Sequence, residues 1–247
     1  MLFIQYFKTA VHLKLNYYYC LMQKVNCNTV DCFLCKYCFP GWKELISLKK
    51  TTWLFKKGET IFSERESVKG IFFIYSGAVK VYKQWGDDKQ LIIRFAKTGD
   101  ILGHRGLGGN KLYPVSATAL ENTSACFITD EFLEATLQTN HFFIYQLMQF
   151  YMEEMQKAEA RMRNLAHMEV KGRIAEALLD IQHTFGVNGE GYIGVTIIRQ
   201  DIASYAGTTY ETVFKFFNEL TSQKIIRTSG KDIRILNEKK LRSFIPE

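Results

Sequence analysis

The sequence has few features that would interrupt the chain or anchor it in a membrane. It contains three prolines in 247 residues, and no low-complexity run separates its segments. Its apolar start, residues 1–21, is interrupted by Lys8, His12 and Lys14, so it is too polar for a membrane span and lacks a clear signal-peptide cleavage site. We therefore expect no membrane partner, and we interpret Met22 as the native start and residues 1–21 as a start-site artefact.

Motifs of the common enzyme classes are also missing. The sequence has no Walker loop, dinucleotide fingerprint, serine–histidine pairing or paired-carboxylate motif, and its five histidines lie far apart. The glycine-rich segment 185–191 is not followed by the lysine–serine or lysine–threonine pair of a phosphate-binding loop. We therefore predict that the protein is not an enzyme. A ligand-binding module with a non-DNA-binding tail is a second alternative.

The composition is that of a globular protein with an excess of positive charge. Apolar residues make up 47% and charged residues 23%, which is ordinary for such proteins, and the length suffices for two domains. The formal net charge is +7. Such a charge suggests a polyanionic partner but does not specify one.

Residues 53–127 have the pattern of short strands separated by glycine turns. The apolar run 71–75 precedes Gly77, and the alternating segment 79–83 is followed by another apolar run at 91–95. Many short strands at this spacing are typical of an antiparallel barrel or double-sheet roll.

The segment 141–167 has the clearest helical periodicity of the chain. Apolar residues recur at alternating steps of four and three over three heptads, which is typical of a two-stranded helical interface. A helix of about 27 residues would be about 40 Å long, longer than one small domain needs. A helix that packs only on its own roll is the alternative. We predict a homodimer seam formed by Ile144, Met148, Tyr151, Met155, Ala158, Met162 and Leu165.

The segment 199–220 predicts a helix-turn-helix. Ile202, Ala203 and Ala206 give the first helix a small apolar face, and Gly207 lies where a sharp turn requires positive φ. Ile198 occupies the N-cap, where a missing cap costs about 1 kcal/mol, partly offset by Asp201 in the first turn. The second helix has an apolar face of Val213, Phe216, Phe217 and Leu220.

The exposed start of this second helix is the predicted DNA-reading surface, because the N-terminal residues of a recognition helix meet base edges in the major groove. Glu211 could accept from cytosine N4, and Lys215 could donate to guanine or to a phosphate. The alternating residues 233–235, after Ser229 and Gly230, predict a wing. The predicted surface comprises Thr208, Thr209, Tyr210, Glu211 and Lys215.

From about residue 27 onwards the chain resembles the Crp/Fnr regulators, and the segment 207–215 with Glu211, Thr212 and Val213 resembles the recognition helix of that family. Tyr210 departs from the residues found there in Crp and Fnr. The resemblance implies base readout by Glu211 and Lys215, phosphate contact by Arg199, contact with RNA polymerase, and a dimer that binds double-stranded DNA at a two-fold symmetric operator.

The predicted fold class is therefore α+β. It consists of an antiparallel β-roll of the cyclic-nucleotide-binding (jelly-roll) type, a long dimerisation helix and a C-terminal winged helix-turn-helix. The predicted division is a cysteine-rich segment at 1–44, a sensor roll at 45–135, the dimerisation helix at 136–168 and the DNA-binding domain at 169–247.

The resemblance also defines where a cyclic nucleotide would bind. Such binding would need a glutamate for the ribose and an arginine for the cyclic phosphate, but His104 and Tyr113 occupy these positions and Arg105 is shifted by one. Charged hydrogen bonds are the strong ones, so we do not expect cyclic nucleotide binding.

Cysteines are concentrated near the N-terminus, where Cys27, Cys32, Cys35 and Cys38 have spacings used for iron–sulfur ligation. This crowding favours a reduced, cytoplasmic setting over a disulfide scaffold. The resemblance to Fnr implies a 4Fe–4S cluster that includes the internal Cys126. The candidate ligands are Cys32, Cys35, Cys38 and Cys126, with Cys27 as an alternative. Structural zinc, reduced thiols without a metal, or an unknown small-molecule effector are the other hypotheses.

Overall fold

A computed structural model describes residues 32–86 and 89–246. The predicted start at Met22 and the alternative ligand Cys27 lie outside the described residues. Two short helices come first, α1 at Phe33–Tyr37 and α2 at Trp42–Lys49.

Two four-stranded antiparallel sheets form the predicted β-roll. The strands are β1 (Thr51–Phe55), β2 (Thr60–Phe62), β3 (Gly70–Ser76), β4 (Ala78–Trp85), β5 (Lys89–Lys97), β6 (Ile101–Leu102), β7 (Ser116–Ala119) and β8 (Thr123–Thr129). One sheet has the order β1-β8-β3-β6 and the other β2-β7-β4-β5. Their inward-facing aromatic and aliphatic side chains, including Phe62, Phe72 and Val79, form the core of the roll.

Two helices leave the roll in succession. Helix α3 spans Asp130–Thr139 and the long helix α4 spans His141–His167. The Asn140 side chain caps α4 by accepting a hydrogen bond from the Phe143 N–H at 3.1 Å. The 27-residue length agrees with the predicted long helix.

The C-terminal part has the predicted winged helix-turn-helix order. Its elements are α5 (Val170–Phe185), α6 (Arg199–Ala206), α7 (Tyr210–Ser222), β9 (Ile226–Ser229), β10 (Asp232–Ile235) and α8 (Glu238–Arg242). The faces of α6 and α7 that were predicted to be apolar are buried against each other and against α5. The predicted α+β fold class is therefore confirmed.

The roll and the C-terminal part share one apolar core. Ile92 and Phe95 of β5 are buried in the same cluster as Ile174 of α5 and Ile202 of α6. The roll is thereby packed directly against the first helix of the helix-turn-helix. Across residues 32–86 and 89–246, none of the helices combines the length and apolarity needed to cross a bilayer.

Candidate nucleic-acid interface and sensor core

The turn between α6 and α7 has the backbone conformation predicted for it. Gly207 has φ 62° and ψ 47°, a left-handed conformation that costs glycine little. A Cβ at this position would lie 2.6 Å from Leu165 Cδ2 of α4. The turn is therefore tight because the end of the long helix packs against it.

The start of α6 is held from outside the helix. Ile198 provides no side-chain cap, as the sequence indicates. Asp201 in the first turn is 4% exposed, and its Oδ1 lies 2.6 Å from Lys80 Nζ on β4. The carboxylate therefore has a partner in the roll as well as a position near the helix N-terminus.

The residues predicted to read DNA at the start of α7 differ in their contacts. The Thr209 hydroxyl caps the helix by accepting from the Thr212 N–H at 3.3 Å, so it has an internal role that the sequence did not reveal. Tyr210, Glu211 and Lys215 are exposed and remain available to a partner. The backbone N–H of Glu211 and the Thr209 hydroxyl lower the pKa of the Glu211 carboxyl, which keeps it an acceptor.

An additional aromatic residue lies on this exposed face. Phe214 is 43% exposed and stacks on Tyr210 with ring centroids 6.3 Å apart. The Arg199 guanidinium of α6 lies 5.8 Å from the Phe214 ring centroid. The spacing of four residues from Tyr210 was the available signal for Phe214, which sequence reasoning missed.

The predicted wing is the hairpin of β9 and β10, with Ile233 opposite Thr228. Lys231 lies at its tip, and Arg227 is exposed on β9. Lys231 also lines a groove of about 230 Å³ between the wing, the start of α6 and Tyr210. Cationic side chains therefore flank the exposed face of α7.

The predicted dimer seam is largely uncovered in the single chain. Ala158 is exposed and Leu165 half-buried. Met152, which was not predicted, is 44% exposed on α4. The largest exposed apolar side chains among the predicted seam residues are Ile144 at 42%, Met148 at 48%, Met155 at 57% and Met162 at 64%.

Tyr151 differs from these seam residues because it contacts the roll. It is half-buried, and its hydroxyl donates to the His104 carbonyl oxygen. Nearby, Glu154 Oε2 lies 3.3 Å from Arg94 Nη1 and 3.1 Å from Arg105 Nη2. Burial opposes the charge of Glu154, but the two arginines outweigh it and lower the pKa of the carboxyl.

His104 is buried between the roll and α4. Its ring centroid lies 5.1 Å from that of Phe150 and 5.5 Å from that of Tyr151. Neither ring nitrogen has a hydrogen-bond partner within the described part of the chain. Burial, followed by the charges of Arg94 and Arg105, holds the pKa of His104 well below its usual range, so the ring is neutral.

Tyr113, which occupies the position of the phosphate-binding arginine, packs inside the roll. Tyr113 is 4% exposed, stacks on Phe62 with centroids 4.2 Å apart, and donates to the Gly70 carbonyl oxygen at 2.7 Å. A phenol that is already hydrogen-bonded and stacked does not replace a guanidinium in binding a phosphate.

Three of the four cysteines predicted as metal ligands are buried in one apolar core. Cys32 and Cys38 flank α1, Cys126 lies on β8, and all three are buried, whereas Cys35 is half-buried. Burial, followed by the charge of Cys32, raises the pKa of Cys38 to about 12. Among the described residues, no three cysteine, histidine, aspartate or glutamate side chains form a group that could hold a metal. The predicted four-cysteine ligand set is therefore not assembled.

Two known sequence families match the chain. Residues 52–140 match the cyclic nucleotide-binding domain family, and residues 172–244 match the Crp-like helix-turn-helix domain family. The two matches together cover more than half of the chain, in the order that the fold shows. The chain belongs to the Crp/Fnr family. Its Crp/Fnr relatives include transcriptional activators, which are regulators and not enzymes.

Individual Crp/Fnr proteins align over most of their length. The transcriptional activator FnrA of Stutzerimonas stutzeri is 27% identical over 215 residues, covering 84% of this chain and 88% of the relative. The activator Anr of Pseudomonas aeruginosa is 28% identical with the same coverage. The solved structure of FixK2 from Bradyrhizobium japonicum has a TM-score of 0.72 at 26% identity, covering 80% of this chain and 98% of that chain.

Proposed function

We propose that this protein is a dimeric, sequence-specific DNA-binding transcription regulator in which the roll controls the helix-turn-helix. The proposed division is a sensor roll at 45–135, a dimerisation helix at 136–168 and a DNA-binding domain at 169–247. In this arrangement α7 enters the major groove. Two copies related by the α4 seam read a two-fold symmetric operator, and contact with RNA polymerase is part of the same proposal.

One observation carries this proposal. Tyr210, Glu211 and Lys215 are exposed together at the start of a helix that is capped, packed on α6 and followed by a β-hairpin wing. Glu211 supplies an acceptor suited to cytosine N4, and Lys215 supplies a donor suited to guanine or phosphate. Arg199, at the start of α6, and Lys231, at the wing tip, lie where phosphate contacts would form.

Binding of the full-length protein to duplex DNA tests this proposal. A preferred duplex is selected from a random pool, and its dissociation constant is compared with that of a scrambled duplex over a series of salt concentrations. We expect the affinity to fall steeply with salt, because each neutralised phosphate releases counterions. Lys215→Ala should reduce the salt slope by about 1 if Lys215 contacts a phosphate.

The Glu211→Ala variant separates base readout from general attraction. Glu211 is exposed, so its removal should leave the fold intact. We expect it to relax base preference at one position of each half-site more than it weakens non-specific binding. Equal affinity of the wild-type protein for the selected and scrambled duplexes would exclude specific regulation.

We propose further that the signal acts through the apolar core that holds Cys32, Cys38 and Cys126. Helix α1, flanked by two of these thiols, packs on α4 through Phe33, whose ring lies 5.8 Å from Phe143 and 5.6 Å from Phe150. A change at the thiols would therefore shift α1 against the dimerisation helix.

The described arrangement fits reduced thiols better than a metal-ligand set. A 4Fe–4S cluster or zinc binds several thiolates at one point, whereas no group of three such ligands forms among the described residues. A cluster would require the four candidate cysteines to move together, or Cys27, which lies outside the described residues, to replace one of them. We therefore propose this thiol-containing core as the sensing region. Whether it holds reduced thiols, a 4Fe–4S cluster or zinc is the question for experiment.

Anaerobic purification followed by iron, sulfide and zinc analysis identifies the state of this core. Operator affinity is then measured with and without oxygen for the wild-type protein and for Cys32→Ala, Cys38→Ala and Cys126→Ala. Cys35→Ala, at a half-buried position, tests the fourth candidate ligand, and Trp85→Ala, at an exposed position of the roll, is the control. An oxygen response that survives all three buried-cysteine substitutions would remove this core from the signalling path.

A further inference from the structure

Two aromatic side chains form an exposed pair on the helix that is proposed to read DNA. Tyr210 is 42% exposed and Phe214, one helical turn later, is 43% exposed. Their rings stack with centroids 6.3 Å apart and an interplanar angle of 23°. Val213 and Phe217 of the same helix are buried in the core, and the pair lies at the edge of that buried face, where both rings remain partly exposed.

The pair is held in place by a charged neighbour. The Arg199 guanidinium lies 5.8 Å from the Phe214 centroid and 5.4 Å from the Phe217 centroid, within cation–π range. An aromatic side chain has only two side-chain torsions to fix, and stacking limits both. The two rings therefore present a preorganised apolar surface beside a cation.

Polar residues that suit DNA surround this apolar surface. Glu211 and Lys215 each follow one of the aromatic residues and are exposed on the same side of α7. Tyr210 also lines the groove shared with Arg199 and Lys231 of the wing. The flanking cations favour a polyanion as the molecule that covers the aromatic pair.

We propose that Tyr210 and Phe214 read thymine through its C5-methyl group in the major groove. The thymine methyl is the apolar group that base pairs present there, and aromatic side chains are suited to contact it. Phe214 offers no hydrogen-bonding atom on its side chain, so it discriminates by apolar contact alone. This inference rests on the proposed function and adds a named base feature to it.

Replacing thymine by uracil in the selected operator tests the proposal. The substitution removes one methyl group and keeps Watson–Crick pairing. Each thymine is replaced in turn, and the dissociation constant of the full-length wild-type protein is measured at fixed salt. We expect one or two thymines in each half-site to show about fourfold weaker binding, the effect of exposing one methyl group to water.

Variants of Phe214 show which side chain reads the methyl. Phe214→Ala should bind the thymine and uracil operators equally, whereas Phe214→Leu, which retains an apolar contact, should keep part of the difference. Both substitutions are at an exposed helix position, so we expect the fold to persist. Trp85→Ala, at an 80% exposed aromatic residue of the roll, is the matched control and should retain the full fourfold difference.

Two results separate this inference from the proposed function. Wild-type protein that does not distinguish the selected from the scrambled duplex contradicts the proposed function itself. Wild-type protein that prefers the selected duplex but binds every uracil-substituted version equally overturns only the methyl readout. A uracil effect that persists unchanged when Tyr210→Ala and Phe214→Ala are combined also overturns it, because a residue outside the pair must then contact the methyl.

Discussion

The Lys80 ammonium on the roll lies 2.6 Å from the Asp201 carboxylate on the first helix of the helix-turn-helix. The side chains are 15% and 5% exposed, respectively, so the pair is largely withdrawn from water. Asp201 is separated from the recognition helix only by the rest of α6 and the turn at Gly207. The pair therefore fixes the DNA-binding unit to the proposed sensor roll.

Breaking this pair from the Asp201 side should loosen the contact between the domains. Asp201→Asn keeps the size of the side chain but leaves the Lys80 charge poorly solvated. We expect a loss of about 1–3 kcal/mol of unfolding free energy, below the roughly 3–5 kcal/mol of a fully buried pair, because Lys80 retains some exposure. Denaturant unfolding measures this loss.

A double-mutant cycle provides the control for that prediction. Lys80→Met removes the charge, and the combined Lys80→Met, Asp201→Asn variant should be more stable than Asp201→Asn alone. Strictly additive effects of the two substitutions would show that the two groups do not interact in solution.

Ser204 provides a second contact between α6 and β5. Its hydroxyl accepts from the Ile92 N–H at 3.1 Å and donates to the Gln90 carbonyl oxygen at 2.7 Å. Ser204→Ala leaves the buried Ile92 amide without its acceptor, which should cost about 1–3 kcal/mol. Hydrogen exchange of the Ile92 amide should accelerate. Ser222→Ala, at the exposed end of α7, should leave that amide protected as in the wild type, and equal protection in both variants would contradict the contact.

The neutral state of His104 predicts a pH dependence of stability. Burial and the nearby Arg94 and Arg105 place the pKa in the folded state below the ordinary value of 6.5. Since the unfolded chain then binds more protons, stability should be full above pH of about 6.5 and should fall by up to about 1.4 kcal/mol per pH unit below it.

Removing the imidazole tests this assignment. His104→Leu should flatten the loss of stability between about pH 6.5 and 5, because no proton is then taken up at this site on unfolding. His167→Gln, at an exposed position of α4, should retain the wild-type slope. Melting temperatures over this pH range provide the measurement, and parallel curves for wild type and His104→Leu would disprove the assignment.

The helix-turn-helix could be predicted from sequence because its determinants are local. The helical spacing of Val213, Phe216, Phe217 and Leu220 and the glycine at position 207 belong to one continuous segment. Phe214 was missed because sequence reasoning assigned Phe216 and Phe217 to the buried face and Tyr210 to the exposed one, and placed Phe214 on neither. Its exposure depends on how α7 is rotated against α6, which packing determines.

The contacts between domains could not be predicted for a different reason. Lys80 and Asp201 are 121 positions apart in sequence, and no periodicity relates a lysine on a strand to an aspartate on a helix. The thiols show the same limit, because cysteine spacing indicates which ligands are available but not where the chain places them. Cys38 and Cys126 enter one apolar core, yet no metal-ligand group forms among the described residues.

The exposed face of α4 leads to the last prediction. Met155 is 57% exposed in the single chain and lies at the middle of the predicted seam. Burial of such a side chain contributes about 1.5–3 kcal/mol, and two copies would meet in a symmetric dimer. Met155→Glu replaces this contribution with a carboxylate in an apolar interface. We therefore expect the dissociation constant of the dimer to rise about 100-fold or more. Analytical ultracentrifugation measures this change.

A matched substitution one residue away separates interface effects from charge effects. Gln156→Glu adds the same charge at an exposed position of α4 that lies off the seam, and it should leave the dimer unchanged. Neither substitution should change the helical circular dichroism of the single chain, because both side chains are exposed there. The monomeric Met155→Glu protein should also lose affinity for the two-fold operator, since each copy can then occupy only one half-site. A Met155→Glu protein that remains a dimer would place the subunit interface elsewhere, and the paired recognition helices would then need a different symmetry axis.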